Sequence, residues 1–291
     1  MHQKQFRSYI LTFSYYTYPF ESTFLNKVKI LRQKFVHLKI RPIKTTMKIT
    51  RLVILFNYKK ILLGVLVSIL LFIGSFKLHS DIFILLLRLL SALIIVNIIA
   101  SLTASYWLYD RSDLYELNDL EDTINWDTIE NVVLIHASFD PLSRRLEEKC
   151  PHIKVTVCDI YGNRHEHERG IEVSKKMFPP HPKEIKISVD TLPFEDESQD
   201  VILAVTTLHE VLDHQKRVLF FKEAKRILKK GGLIIVSEQF RDTTNFIFFN
   251  IGAFHFLSWK QWKNSISPSG LNIVKNKKVT PFANMLVIKK D

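Results

Sequence analysis

The 291-residue chain is 47% hydrophobic and 24% charged, the balance of a folded protein, which excludes global disorder. Its net charge of +12 is unevenly placed: residues 1–60 carry 13 Lys or Arg against one acid, Glu21, while the rest balances 28 basic with 28 acidic residues. The basicity belongs to an N-terminal arm, which excludes a basic nucleic-acid-binding body, and the length allows one sizeable domain plus an extra part, or two domains.

The arm, residues 1–60, is aromatic as well as basic, with stretches such as SYYTYPF and KVKILRQKF that suit an anionic lipid surface. Met47 stands just before a compact basic flank, so residues 1–46 also fit an upstream extension of the native start. Residues 61–108 then read as a hydrophobic hairpin of two helices. Ile61 to Phe76 is apolar all round and slightly short for a span of about 20 residues. Ile82 to Leu108 is long enough to cross with tilt, interrupted by Arg88 and Asn97. A buried hairpin of a soluble protein is the alternative, but a soluble core helix normally keeps a polar face and the first segment has none. Arg88 is placed to snorkel to headgroups, and Tyr106, Trp107 and Tyr109 are placed for an interfacial aromatic belt. The dense positive charge before the first helix predicts a cytoplasmic N-terminus, and a hairpin returns the C-terminal part to that same side of the membrane. A cleaved signal peptide does not fit an apolar run this deep that is followed by a second one. Cys150 and Cys158 form no CxxC pair, and free thiols are expected. Residues 109–130 read as a linker.

From residue 131 to 291 the rhythm changes to α/β. Short β-branched runs recur at 132–135, 155–157, 185–189, 201–205, 233–236, 271–274 and 285–288. Helix-like segments separate most of the first five, which predicts a parallel sheet covered on both faces. The clearest helix is HQKRVLFFKEAKRILKKGG, with Lys229 and Lys230 suiting its C-terminus and Gly231 its C′ position. The pair His165 and His167 in HEHER superficially suggests metal. On a helix the two diverge and no third ligand is evident, so a charged, solvated segment is expected. P-loop, GxSxG and HExxH patterns do not occur.

The stretch TLPFEDESQDVILAVTTLHEVLDHQKRVLFFKEAKRILKKGGLIIVSE resembles the central part of class I S-adenosylmethionine-dependent methyltransferases. The order and spacing of its landmarks carry the resemblance, which extends over roughly residues 131–290. The hairpin followed by SYWLYDRSDLYEL, LHEV and NFIFFNIGAFHFLSWKQW is also similar to a bacterial group of membrane-anchored methyltransferases. The resemblance implies a Rossmann-like seven-stranded methyltransferase sheet preceded by a two-helix transmembrane hairpin, with S-adenosyl-L-methionine as cofactor.

It also implies site residues. VVLIHASFDP becomes the first strand and its cofactor loop, with His136, Ala137, Ser138 and Asp140 against the cofactor. Family members keep glycines in that loop, whereas none occurs here between Gly74 and Gly162, and Phe139 is bulky. Any of these residues held at positive φ is strained. His136 and Asp140 are placed to hydrogen-bond either the loop or the cofactor's amino group. Asp159, followed by Ile160, ends the second strand where a carboxylate accepts from two ribose hydroxyls; the bland reading is a strand-ending acid capping a turn. Asp190, Thr191 and Leu192 fall at the adenine position, although the usual spacing puts Ser188 where an acid is expected. Thr206 ends the fourth strand, where such folds bind ligands. The resemblance gives His209 the role of a base and Glu210 that of its orienter, against a packed imidazole and a helix-start acid. His255 is a further candidate in the insertion after the fifth strand. NFIFFNIGAFHFLSW there is either a helix covering the sheet or an apolar mouth facing the bilayer. The implied function is a membrane-tethered methyltransferase for a hydrophobic small molecule or lipid-like acceptor, with no nucleic-acid partner. The alternative is a non-catalytic membrane-anchored interaction module of the same fold.

Overall fold

The computed structural model describes residues 48–116, 118–121, 123–161 and 169–291. The arm's residues 1–47 and most of HEHER lie outside the described residues, so the surface-binding and non-metal expectations placed on them are not taken further.

Helix α1 (Lys48–Ser75) and helix α2 (Asp81–Tyr106) form an antiparallel hairpin, and α2 runs on through a π-helical turn to Arg111. The first helix begins 13 residues before the apolar run that marks it in the sequence. Its start is set by a partner far along the chain. Asp110 accepts hydrogen bonds from the backbone amides of Ile49 (3.0 Å) and Thr50 (2.8 Å), satisfying two orphan donors of the first turn. Between the helices, Ser68 and Ser91 hydrogen-bond each other's hydroxyls and carbonyls at 2.9–3.0 Å, and Gly64 lets Ile98 approach. Small residues and shared hydroxyls hold helices together where apolar contact alone gives no preference. Both helices are long and apolar enough to cross a membrane, and only 11% and 6% of their most apolar windows are buried. Arg88 folds over the rings of Phe72 and Phe76 at the tip of the hairpin, with its Nε donating to Ser75 Oγ at 3.2 Å. Tyr109 departs from the belt expected of it: its hydroxyl donates to Gln239 Oε1 at 2.8 Å, on the sheet domain.

The expected linker is part of the core. Leu114, Tyr115, Leu120 and Ile124 are buried against Leu134, Leu142, Leu146, Val205 and Met285. Their spacing is irregular, which hides their burial in the sequence; the exposed face of the sheet supplies the partner surface. Hairpin and sheet belong to one compact unit.

Seven strands make one sheet: β1 (Asn131–His136), β2 (Lys154–Asp159), β3 (Ile185–Lys186), β4 (Gln199–Val205), β5 (Leu228–Gln239), β6 (Asn272–Lys278) and β7 (Ala283–Lys289). Their order is β3-β2-β1-β4-β5-β7-β6, with the first five parallel and β7 antiparallel to both β5 and β6. Each β-branched run of the sequence contributes a strand, though β3 is only two residues long. Successive side chains of β1, β4 and β5 enter two cores. Val133, Ile135, Ile202 and Ala204 meet helices α5 (His214–Ile227) and α7 (Trp259–Ile266), while Leu134, Leu203 and Ile235 meet α3 (Ser143–Lys149) and the 114–124 segment. Helix α4 (Arg169–Met177) precedes β3, and α6 (Thr243–Phe249) follows β5.

One boundary differs from expectation. Helix α5 stops at Ile227, and Lys229 to Gly232 belong to β5, not to a helix C-terminus. Gly231 does take the left-handed φ of +79°, but within the strand, beside a register shift between Gln199 and Val201. Pairing explains it: Gly231 N–H donates to Lys290 O, Lys290 N–H donates to Gly232 O, and Lys229 Nζ reaches Asp200 at 2.8 Å. Sheet hydrogen bonds outweigh the helix propensity of two lysines.

Candidate active site

The carboxyl ends of β1, β2, β4 and β5 gather the candidate residues. After β1 the glycine-free turn is held by two acids. Asp159 Oδ1 accepts from Ser138 N–H (2.8 Å) and Tyr161 N–H (2.9 Å). Asp140 Oδ1 accepts from Leu142 N–H and Ser143 N–H, both at 2.9 Å, where α3 starts. Ser138 sits at φ 63°, the left-handed conformation that a glycine would take without strain. Thr206, directly after β4, sits at φ 49°, which is rarer still for a β-branched residue. The Tyr115 hydroxyl shares a 2.6 Å hydrogen bond with Thr206 Oγ1, and burial pushes this phenol's pKa well up. Phe139 packs edge-on against Tyr115 (6.3 Å) and Phe178 (4.8 Å). Two strained backbones on neighbouring strands, both braced by side chains, mark the place where the fold gives up stability for shape.

The residues fit an adenosyl cofactor in their donor set. Asp159 is buried, and its Oδ2 has no hydrogen bond among the described residues, which leaves it for a ribose hydroxyl. His136 is buried with Nδ1 unpartnered among the described residues; its Nε2 lies 2.9 Å from Glu184 Oε2 without hydrogen-bond alignment. Ile160 follows, partly buried on the core. The adenine candidates divide: Ser188 Oγ donates to Asp190, Thr191 is exposed, and Leu192 is 2% exposed within the core. Leu192 is a core residue packed with Val189 and the helix at residues 214–227. Cys150 and Cys158 are buried thiols, and burial with nearby Glu184 pushes the Cys158 thiol up to about 12.

The LHEV loop after β4 is organised by a residue that sequence reasoning missed. Glu238, near the end of β5 and fully buried, accepts from the amides of Thr207 (2.9 Å) and Leu208 (2.8 Å) through Oε1. Its Oε2 lies 2.7 Å from His209 Nδ1. Glu210 lies on the other side, its Oε1 at 3.5 Å from His209 Nε2 and 3.4 Å from His255 Nε2. Burial alone would lower the pKa of His209, but the charge of Glu238, with the hydrogen bonds from Glu210 and Glu238, more than offsets this and raises it to about 10. Those two imidazoles hold Glu210 well below the usual carboxylate range, against its own burial. Two flanking carboxylates thus favour the protonated form of the His209 imidazole in the metal-free chain. The available signal for Glu238 was its place in LIIVSEQ, a charge at the end of an apolar strand. Arg217, buried on α5, fixes the loop's far side through the carbonyls of Val211 (2.5 Å) and Leu212 (2.8 Å).

Two cavities open at this end of the sheet. The smaller, about 280 Å³, lies between Tyr115, Asp140, Arg144, Arg145 and Phe178. The larger, about 970 Å³, has one wall of hairpin residues, among them Phe56, Ile98 and Leu102, and another wall of His209, Gln239 and His255. Tyr109 lines both.

The sheet order, with a reversed β7 between β5 and β6, defines the α/β part as a class I methyltransferase fold. Residues 141–236 match a family described as "Methyltransferase domain", the match beginning just after the glycine-free turn. Over those residues the chain is similar to methyltransferase domains. It is 27% identical over 123 residues to a ubiquinone biosynthesis O-methyltransferase of Pelagibacter ubique, covering 37% of this chain and 50% of that one. It is 37% identical over 78 residues to an uncharacterised protein of Methanocaldococcus jannaschii, covering 25% of this chain and 37% of that one. The chain thus spans half or less of the length of these relatives. Among solved structures, S-adenosylmethionine-dependent methyltransferases of Methanosarcina mazei (16% identity, TM-score 0.43, 60% of this chain and 97% of that one) and Aquifex aeolicus (15%, 0.44, 62% and 93%) are similar.

Proposed function

We propose that the protein is a membrane-tethered methyltransferase that methylates a hydrophobic small molecule or lipid-like acceptor from S-adenosylmethionine on the cytoplasmic side. The observation that carries this reading is the larger cavity, shared between the apolar hairpin and the carboxyl ends of β4 and β5. An acceptor dissolved in the hydrocarbon would reach the transfer site without leaving apolar surroundings. The insertion after β5 supports the same reading. Phe248, Phe249 and Phe256 pack inward, while Ile247 (64%), Ile251 (78%) and Phe254 (61%) are exposed. Such a patch next to two apolar helices suits contact with lipid.

Methyl transfer needs little covalent help from protein, because the sulfonium already activates the methyl group. In this reading Asp159 holds the ribose, the Ala137–Ser138 backbone borders the methionine portion, and the cavity aligns the acceptor and excludes water. The test uses the detergent-solubilised chain with methyl-labelled cofactor and a bacterial lipid extract. Labelled product in the organic phase is expected, with a loss of about tenfold or more in Ser101→Trp, which fills the cavity from α2 while cofactor binding persists. Label confined to the aqueous phase would refute the lipid-like acceptor.

A specific observation favours a second reading, a non-catalytic module of this fold. The turn after β1 lacks glycine, and Asp159 already serves two loop amides. A folded chain that fails to bind S-adenosylmethionine would establish it.

A further inference from the structure

The side chains of His209, Glu210 and His255 converge beside the larger cavity, which both histidines line. Their ligand atoms all lie within 4.8 Å of one another. Glu210 Oε1 stands 3.5 Å from His209 Nε2 and 3.4 Å from His255 Nε2, longer than the 2.7–2.9 Å of a charge-assisted hydrogen bond. Ligands at about 2.0–2.1 Å from a tetrahedral Zn²⁺ stand about 3.3–3.4 Å apart, so these two separations are those of a metal's first shell. An independent observation points the same way. The remaining ring nitrogen of His209 faces the buried Glu238 carboxylate at 2.7 Å, the outer-shell partner that fixes tautomer and orientation in carboxylate–histidine–metal sites.

We propose that His209, Glu210 and His255 form a binding site for a first-row divalent cation of the Zn²⁺ type, with Glu238 as its outer-shell anchor. Two imidazoles and one carboxylate leave at least one coordination position for another ligand. Both histidines line the cavity, so that position faces the space assigned above to the acceptor. The role of the cation, unlike its binding, rests on the methyltransferase reading. An acceptor hydroxyl bound to the cation loses its proton to solvent; the resulting oxyanion takes the methyl group, and the sulfonium leaves as the neutral thioether.

The experiment is a metal titration of the untagged, chelator-stripped full chain in detergent. Zn²⁺ is measured by competition with a chromophoric chelator and Co²⁺ by its visible absorption. One equivalent is expected to bind with a d–d spectrum of low coordination number. His255→Ala, at a half-exposed position and once shown by circular dichroism to be folded, should abolish both signals. Glu238→Gln should weaken binding by about 10- to 100-fold. Equal Zn²⁺ binding by wild type and His255→Ala, or no stoichiometric binding at all, would overturn the site and leave an ion-pair cluster. S-adenosylmethionine binding, measured on the same samples without added metal, reports separately on the methyltransferase reading.

Discussion

Glu238→Ala is expected to cost about 3–5 kcal/mol of stability, read as a lowered denaturant midpoint at unchanged slope. The carboxylate is fully buried at the end of β5 and serves the amides of Thr207 and Leu208 as well as the ring of His209. Removing it strands those donors and leaves a buried imidazolium with Glu210 alone. Glu238→Gln, which keeps an acceptor oxygen for the amides, should recover part of the loss. The same interaction predicts a pH dependence for the metal-free chain. The folded pKa of His209, about 10, lies above its unfolded value of 6.5. Its contribution is therefore fully present below about pH 6.5 and is lost as pH rises through about 10. Urea midpoints of the wild type should fall across that window, and those of Glu238→Ala should fall less. A wild-type midpoint that stays level from pH 7 to pH 10 would show that His209 is not held as an imidazolium.

The second large effect is at Asp159. With alanine there, S-adenosylmethionine affinity is expected to drop by about tenfold or more, the loss of one charge-assisted hydrogen bond to Oδ2 worth about 1.5–3 kcal/mol. Alanine also releases Ser138 N–H and Tyr161 N–H, so the change alone does not separate a loop role from a cofactor role. Asp159→Asn does. Its carbonyl oxygen continues to accept from both amides, while its amide nitrogen cannot accept from a ribose hydroxyl. Calorimetry should show an unchanged melting temperature with affinity reduced about tenfold. Full affinity in the asparagine variant would assign Asp159 to the loop alone and strengthen the module reading.

The strain at Ser138 yields a smaller prediction. Glycine there relieves about 1–2 kcal/mol of left-handed backbone strain and gives back about 0.5–1 kcal/mol in unfolded-chain entropy. Ser138→Gly is expected to raise the melting temperature slightly, and a fall would mean that the serine side chain contributes more than its backbone costs.

Much of this architecture was legible one-dimensionally because it depends on local period and composition. Seven β-branched runs became seven strands; in the central residues of β1, β4, β5 and β7, buried on both faces, nearly every side chain is apolar. The two apolar helices announced themselves by the length of their hydrophobic runs, and the charge imbalance placed the basicity in the arm. Asp159 and the LHEV loop could be singled out from the sequence because they fall at predicted strand ends.

What sequence could not decide depends on partners distant in the chain. The start of α1 is set by Asp110, some 60 residues away, and the pairing of Lys229 to Gly232 in β5 involves Asp200 and Lys290. Segment 109–130 looks like a linker because its apolar residues have no period, yet the sheet covers Leu114, Tyr115 and Leu120. Glu238 became the organiser of His209 only when β4 and β5 lay side by side, and His255 met Glu210 only when the chain beyond β5 folded back. Local propensity is additive along the chain and can be read from it. A charge cluster is a property of three-dimensional distance, and only the tertiary structure brought these four side chains together.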